Sequence, residues 1–291
     1  MTTGPKPRKV YELSELAKEV PELFGVPTGT KLDELFFAMQ RDPATGKFVK
    51  KPLGGIPYRS VLNVVGQPDT GKSLFAEQFA CYQAARGYRV LFVTSESPAE
   101  FLYAGLQQRA MALGIDFARA EQNIFVIDAS IDTQLREDIK TLLRTLEYAI
   151  RTKRTSITVV DSITGFYEHK EMAARQIVRA VFNMLKRYKQ TALLVSQKRS
   201  SQGAETAEAA GGLAVAHIVD GTIVMDKKLI ETKWEMNLYG LDLGSVLRTV
   251  RIDGCRLCGH DTSTWIMEIT ESGLIEIKER LSDFIRRSVS R

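Results

Sequence analysis

Val61-Leu62-Asn63-Val64-Val65-Gly66-Gln67-Pro68-Asp69-Thr70-Gly71-Lys72-Ser73-Leu74-Phe75-Ala76 is the stretch whose reading decides the fold. VLNVV has the short apolar character of a buried strand, and Gly66 to Ser73 matches G-x-x-x-x-G-K-[S/T] without a gap after it. Glycines at 66 and 71 let the backbone wrap so that successive N–H groups point inward, where they can donate to phosphate oxygens. The segment from Ser73 to Arg86 has helical spacing, with Leu74, Gln78 and Phe79 on its inner face and Gly87 as its stop. The helix therefore turns its positive end toward the same anion. In such a loop Lys72 reaches the β- and γ-phosphates of ATP, and the Ser73 hydroxyl can complete a Mg2+ shell. Gly66, Gln67, Pro68, Asp69, Thr70, Gly71, Lys72 and Ser73 are the candidate ATP-binding loop.

Downstream, Arg89–Thr94, Ile124–Ile127, Ile157–Asp161 and Ala192–Gln197 are continuous apolar strand candidates. Helical patterns separate them at Ala99–Leu113, Thr133–Arg151 and Met172–Tyr188. This alternation predicts an α/β fold with a mostly parallel sheet covered by helices on both faces. Three polar residues fall at strand ends. Asp161 is placed to hold Mg2+, or else to cap the turn it begins. Glu96 is placed to activate the water that attacks a γ-phosphate, or else to cap the helix after Ser97-Pro98. Gln197 is placed to sense the γ-phosphate, or else to satisfy backbone at its strand end.

After Gln197 the pattern changes. KRSSQGAETAEAAGG reads as a polar loop, and GTIVMD, SVLRTVRI, STWIMEI and GLIEI follow as strands without intervening helices, ending the sheet in antiparallel hairpins. Glu279–Arg291 is helical and basic. Before the decisive stretch, the first ten residues form a flexible lead, Tyr11–Phe24 a short helix packed on the main body, and Arg41–Gly55 an exposed loop. The expected organisation is an N-terminal extension over residues 1–25 and one domain over 26–291.

Composition sets outer bounds. The 291 residues are 44% apolar and 26% charged, ordinary for a soluble globular protein. A net charge of +5 permits an anionic partner without demanding one. Three cysteines exclude a disulfide scaffold and fit a reducing compartment. No apolar run is long enough to span a bilayer and the start has no signal-peptide core, so a cytoplasmic protein without membrane attachment is expected.

The order GQPDTGKS, TSESP, VVDS and VSQ resembles the RecA-like ATPase core, and most of all a single KaiC-type domain. Pro27-Thr28-Gly29-Thr30, Leu32-Asp33-Glu34-Leu35, Gly54-Gly55-Ile56-Pro57 and the stretch Glu208 to Met225 extend the resemblance over Val26 to Ile277. It implies a slow Mg2+-dependent ATPase with a regulatory role, acting with a protein partner and assembled as a homo-oligomer, a hexameric ring with ATP between subunits. Two alternatives share the fold: an ATP-dependent recombinase or recombination mediator that binds single-stranded DNA, and an autokinase or protein kinase. The chain departs from the family pattern at two places. Ser95-Glu96 stands where two adjacent glutamates are usual, and Arg251 and Asp253 stand where a Lys-x-Arg pair touches the neighbour's ATP. Arg248 or Arg256 could replace the missing cation, and His260 falls near a family histidine, so Arg251 and His260 join the candidate ATP contacts.

Cys255-Arg256-Leu257-Cys258-Gly259-His260 contains half of a zinc pattern, with Cys255, Cys258 and His260 as candidate ligands. No second C-x-x-C exists, and Cys81 falls on the helix after the ATP loop, so a redox pair and an inert turn are the competing readings. Among the basic clusters, Arg151-Lys153-Arg154 and Lys186-Arg187-Lys189 close helices as solvated cations. Lys198-Arg199 begins the segment that faces DNA in RecA-like recombinases. That segment has no aromatic residue for base stacking and carries Glu205 and Glu208.

Overall fold

A computed structural model of the chain describes residues 10–17, 20–168, 171–197, 215 and 217–289. At the N-terminus, a single turn, α1 (Leu13–Leu16), buries none of its residues, with Leu13 85% and Val20 69% exposed. The expected packed helix over Tyr11–Phe24 is thus corrected, among the described residues, to one surface turn, since Pro21 cannot continue a helix and Leu13, Val20 and Leu23 stay in solvent. The chain then forms β1 (Gly25–Val26), α2 (Leu32–Leu35), β2 (Phe36–Arg41), β3 (Phe48–Pro52) and β4 (Ile56–Pro57). The expected loop Arg41–Gly55 is corrected as well: β2 and β3 pair antiparallel from Phe37↔Pro52 to Arg41↔Phe48. Every residue of β3 is exposed, so the hairpin rests on its backbone ladder and leaves no apolar alternation to read.

The central segment comprises β5 (Val61–Gly66), α3 (Lys72–Ala85), β6 (Val90–Thr94), α4 (Ala99–Ala112), α5 (Phe117–Ala120), β7 (Ile124–Asp128), α6 (Thr133–Glu137), α7 (Ile139–Lys153), β8 (Ile157–Asp161), α8 (Ala174–Arg187) and β9 (Thr191–Gln197). The single helix expected over Thr133–Arg151 is two. Asp138 sits between them in extended geometry and its side chain accepts from the Lys140 N–H, ending α6 and capping α7. The last segment holds β10 (Gly221–Leu229), α9 (Lys233–Tyr239), β11 (Val246–Cys255), β12 (Gly259–His260), β13 (Trp265–Ile269), β14 (Ile275–Arg280) and α10 (Leu281–Val289). Helix α9, absent from the sequence expectation, is set by a capping box between Thr232 and Glu235 and closed by Gly240 at φ +62°.

Among the described residues, the main sheet has nine strands in the order β14-β13-β11-β10-β5-β9-β8-β6-β7. The stretch from β10 to β7 is parallel, and β11, β13 and β14 join antiparallel. Alternate residues of each parallel strand enter opposite cores. Leu62, Val64 and Phe92 meet Phe75 and Phe79 of α3, while Val61, Val65, Leu91 and Val93 share the other core with Leu142 and Leu146 of α7 and Leu185 of α8. Burial on both faces is why these strands read as unbroken apolar runs. A separate sheet, β12-β2-β3, is reached through the turn Cys255–Cys258. No helix among the described residues is long and apolar enough to cross a membrane.

Candidate functional site

Loop 66–73 runs from the end of β5 into α3. Its two glycines are required for different reasons. A Cβ on Gly66 would lie 2.2 Å from the Met225 carbonyl oxygen of the adjacent β10. Gly71 takes φ +93° at the helix start, and a Cβ there would lie 2.8 Å from Ile275 Cδ1. Lys72 Nζ folds back over the loop and donates to the Gln67 carbonyl at 2.6 Å, beside Thr70 Oγ1 at 3.4 Å. Burial lowers the Lys72 pKa, while Asp161, Glu96 and Asp69 pull it upward.

Strand register brings the polar strand ends to this loop. Gly66 is level with Gln197, Val195 with Asp161, and Asp161 with Thr94, so β5, β9, β8 and β6 finish along one edge. Asp161 Oδ1 is buried with no hydrogen-bond partner. Burial pushes the Asp161 carboxyl up to about 6. The Ser73 hydroxyl beside it pulls it back down, Glu96 adds to the rise, and Lys72 opposes it. Glu96 Oε1 accepts from Ser162 Oγ at 2.6 Å and from Gln197 Nε2 at 2.8 Å. Glu96 and Gln197 are thus in direct contact. The first N–H of α4 belongs to Asp128 instead, with Ala99 N donating to Asp128 Oδ2 at 2.7 Å, which removes the capping reading of Glu96. Ser95 is also tied to Ser162, donating to the Ser162 carbonyl and accepting from the Ser162 N–H. Its Oγ would stand 2.4 Å from a Cβ on Gly165, so this corner leaves little room for a longer side chain.

The opposite wall is cationic. Lys227 of β10 and Arg248 of β11 are cross-strand partners, and both line the cavity formed with Gln67, Asp69, Lys72 and Ser73. Lys227 Nζ lies 3.5 Å from Asp69 Oδ2, and Arg248 Nε is buried without a hydrogen-bond partner. Two cations facing each other across a ladder repel unless an anion comes between them. Sequence reasoning missed Lys227 and read Arg248 only as a cation for a neighbouring subunit, whereas it lines this chain's own cavity. The only available signal was register: Met225 is level with Gly66, which sets Lys227 just beyond the loop.

Other candidates lie elsewhere. Arg251 pairs with Asp253 at 3.2 Å, and His260 sits in β12 opposite Phe36; neither lines the loop cavity. Cys255 and Cys258 have their sulfurs 3.6 Å apart, but no three His, Cys, Asp or Glu side chains converge among the described residues. The zinc reading lacks its third ligand there. Lys186 is not the solvated cation expected, since it bonds the Asp220 carboxylate and the Arg59 carbonyl, both at 2.9 Å. Lys198, Arg199, Glu205 and Glu208 lie outside the described residues.

Comparison with known proteins gives one family. The KaiC ATPase family model matches residues 26–282. A UPF0273 protein of Thermotoga maritima is 25% identical over 234 residues, covering 76% of this chain and 89% of its own length. A UPF0273 protein of Aeropyrum pernix is 28% identical over 253 residues, covering 80% and 92%. The circadian clock oscillator protein KaiC 1 of Synechocystis is 28% identical over 231 residues, 76% of this chain but only 41% of that protein. Among solved structures, a KaiC-like protein of Pyrococcus horikoshii has the same fold, with a TM-score of 0.66 at 22% identity, covering 88% of this chain and all of that one.

Proposed function

Because the chain belongs to the KaiC ATPase family, we propose that it binds Mg·ATP at Gly66–Ser73 and hydrolyses it slowly as a regulatory ATPase. The observation that carries this reading is the buried, unpartnered Asp161 Oδ1 beside Ser73 and Lys72. A dry carboxylate oxygen costs free energy unless a cation or donor completes it, and a Mg2+ held by Ser73 and Asp161 would do so. When bound, the ion neutralises charge on the β- and γ-phosphates.

The chain's own residues supply the rest. Lys72 exchanges the Gln67 carbonyl for phosphate oxygens, and the loop N–H groups with the start of α3 complete the cradle. Glu96 is held by Ser162 and Gln197 on one oxygen, Oε1, and with the other takes the proton of the attacking water. Gln197 has one amide to share between Glu96 and a γ-phosphate, so ATP and ADP states would differ at the end of β9. Lys227 and Arg248 add positive charge from the antiparallel side.

The ATPase domain is assigned to residues 26–291, with 1–25 as an extension. A homo-oligomeric ring, hexameric by family resemblance, is the assembly this reading includes. Arg251 and His260 lie away from the chain's own cavity, which leaves them available to a neighbour's nucleotide. A protein partner that reads the nucleotide state is its target. A reducing cytoplasm suits the three free thiols. The test is ATP turnover titrated with Mg2+, with sedimentation in parallel and with single-stranded DNA present or absent. Slow, Mg2+-dependent turnover indifferent to DNA, with ATP-promoted assembly, is expected. Salt-sensitive acceleration by DNA would replace the regulatory reading with the recombinase one.

A further inference from the structure

We propose that Cys255 and Cys258 form a reversible thiol–disulfide site, exchanging with small-molecule disulfides of the glutathione type, on the turn that joins the main sheet to the small sheet. Their sulfurs lie 3.6 Å apart as free thiols, so closure to a bond of about 2.05 Å needs only a small side-chain adjustment. Both ends of the turn are held independently. Cys255 is in register with Gly221 of β10, and Gly259 is in register with Phe37 of β2. Between them Arg256 N donates to the Asp220 carbonyl at 2.7 Å, and its guanidinium donates to the His217 carbonyl at 2.8 Å. The backbone therefore presents the two sulfurs to each other, while both residues keep part of their surface in solvent.

The two thiols are unequal in a way that suits exchange. The Cys258 thiol and the N–H groups of Leu257 and Cys258 hold Cys255 down to about 6, against burial and the Asp220 charge. Cys258 is pushed upward by the same hydrogen bond and keeps its proton. Cys81 is the built-in contrast. It is fully buried, donates to the Leu106 carbonyl, and burial pushes it up to about 12.

The chemistry balances with the small disulfide as oxidant. Cys255 thiolate attacks one of its sulfurs, forming a mixed disulfide and releasing one thiolate. Cys258 then loses its proton to water and attacks Cys255 Sγ, which releases the second thiolate. Two electrons pass from the protein to the small molecule, and excess reduced thiol reverses both steps.

The native full-length protein is equilibrated in glutathione buffers from reducing to oxidising, quenched in acid, denatured and mapped by mass. At the oxidising end the expected product has lost about 2 Da, carries a Cys255–Cys258 link and retains Cys81 as its one thiol out of three. Reduced glutathione restores all three. Cys258→Ser should stop as a mixed disulfide at Cys255, and Cys255→Ser should react at least about tenfold more slowly. Three free thiols throughout, or links that involve Cys81 or a second chain, would overturn the proposal.

Discussion

The loop 66–73 lies between two walls of opposite charge, drawn from the parallel part of the main sheet and from the edge where β10 pairs antiparallel with β11. On the parallel side, strands β9, β8 and β6 end in Gln197, Asp161 and, just beyond its strand, Glu96. On the antiparallel side, β10 and β11 present Lys227 and Arg248 from within their strands. Parallel strands buried on both faces hold neutral polar side chains such as Asn63, Thr158 and Ser196 inside but carry charge only where they run out, so their charged chemistry gathers at one edge. Antiparallel strands with one wetter face can carry charge along their length. The acids are thus placed for chemistry at the phosphate's far end, and the cations for holding the anion.

That division of labour is broken most sharply through the acidic wall. Glu96→Gln should keep nucleotide binding and lower turnover about 100-fold or more, because the amide cannot accept the water proton. Lys72→Ala should instead lose binding, as measured by equilibrium titration with labelled ATP. Normal turnover in Glu96→Gln would remove Glu96 from its role. Asp161→Asn comes next: turnover should fall and the Mg2+ concentration for half-maximal activity should rise about tenfold or more, and an unchanged Mg2+ curve would count against Asp161 as a ligand.

The cationic wall should behave differently. Lys227→Met and Arg248→Met are each expected to weaken ATP binding about tenfold, roughly 1.4 kcal/mol, while turnover at saturation stays close to wild type. Loss of turnover without loss of affinity would mean that the two walls do not divide binding from chemistry. The nucleotide-free protein should gain slightly in stability from Arg248→Met, which relieves the facing like charge and removes a buried unpartnered N–H, and less from Lys227→Met, which also gives up the Asp69 contact.

The same contrast explains what the sequence made legible. VLNVV, RVLFVT, ITVVD and ALLVSQ are unbroken because helices cover both faces, and their ends point to Glu96, Asp161 and Gln197 directly. Lys227 and Arg248 depend on register between β10, β11 and β5, which no local pattern encodes. The β2–β3 hairpin was hidden because β3 buries none of its residues, and α9 because its seven residues sit between strand patterns with only the Thr232–Glu235 box to mark it. Resemblance to a family supplied roles for Arg251 and His260, but the Arg251–Asp253 pair belongs to a departure from that family's pattern.

Behind the loop the pairing of acid and cation recurs in a dry setting, and there it should appear in stability instead of turnover. Glu77 lies on α3, one turn past Ser73, with its side chain 16% exposed and Arg109 Nε at 3.8 Å. Arg109 of α4 in turn donates to the Gly273 carbonyl between β13 and β14, so this cation ties both helices to the antiparallel hairpin. Burial raises the Glu77 carboxyl from 4.5 to about 7; Arg109 pulls it down and the Asp161 charge pushes it up. An acid with a raised native pKa binds more protons folded than unfolded, so its contribution to stability falls as pH rises from about 4.5 to about 7. The loss is at most about 3 kcal/mol across that window. Glu77→Gln keeps the shape and removes the titration. Its stability, followed by chemical denaturation from pH 5 to 8 without nucleotide, should therefore decline less steeply than wild type. Parallel curves would mean that Arg109 already holds Glu77 ionised, making the pair an ordinary buried salt bridge whose strength is constant through neutral pH.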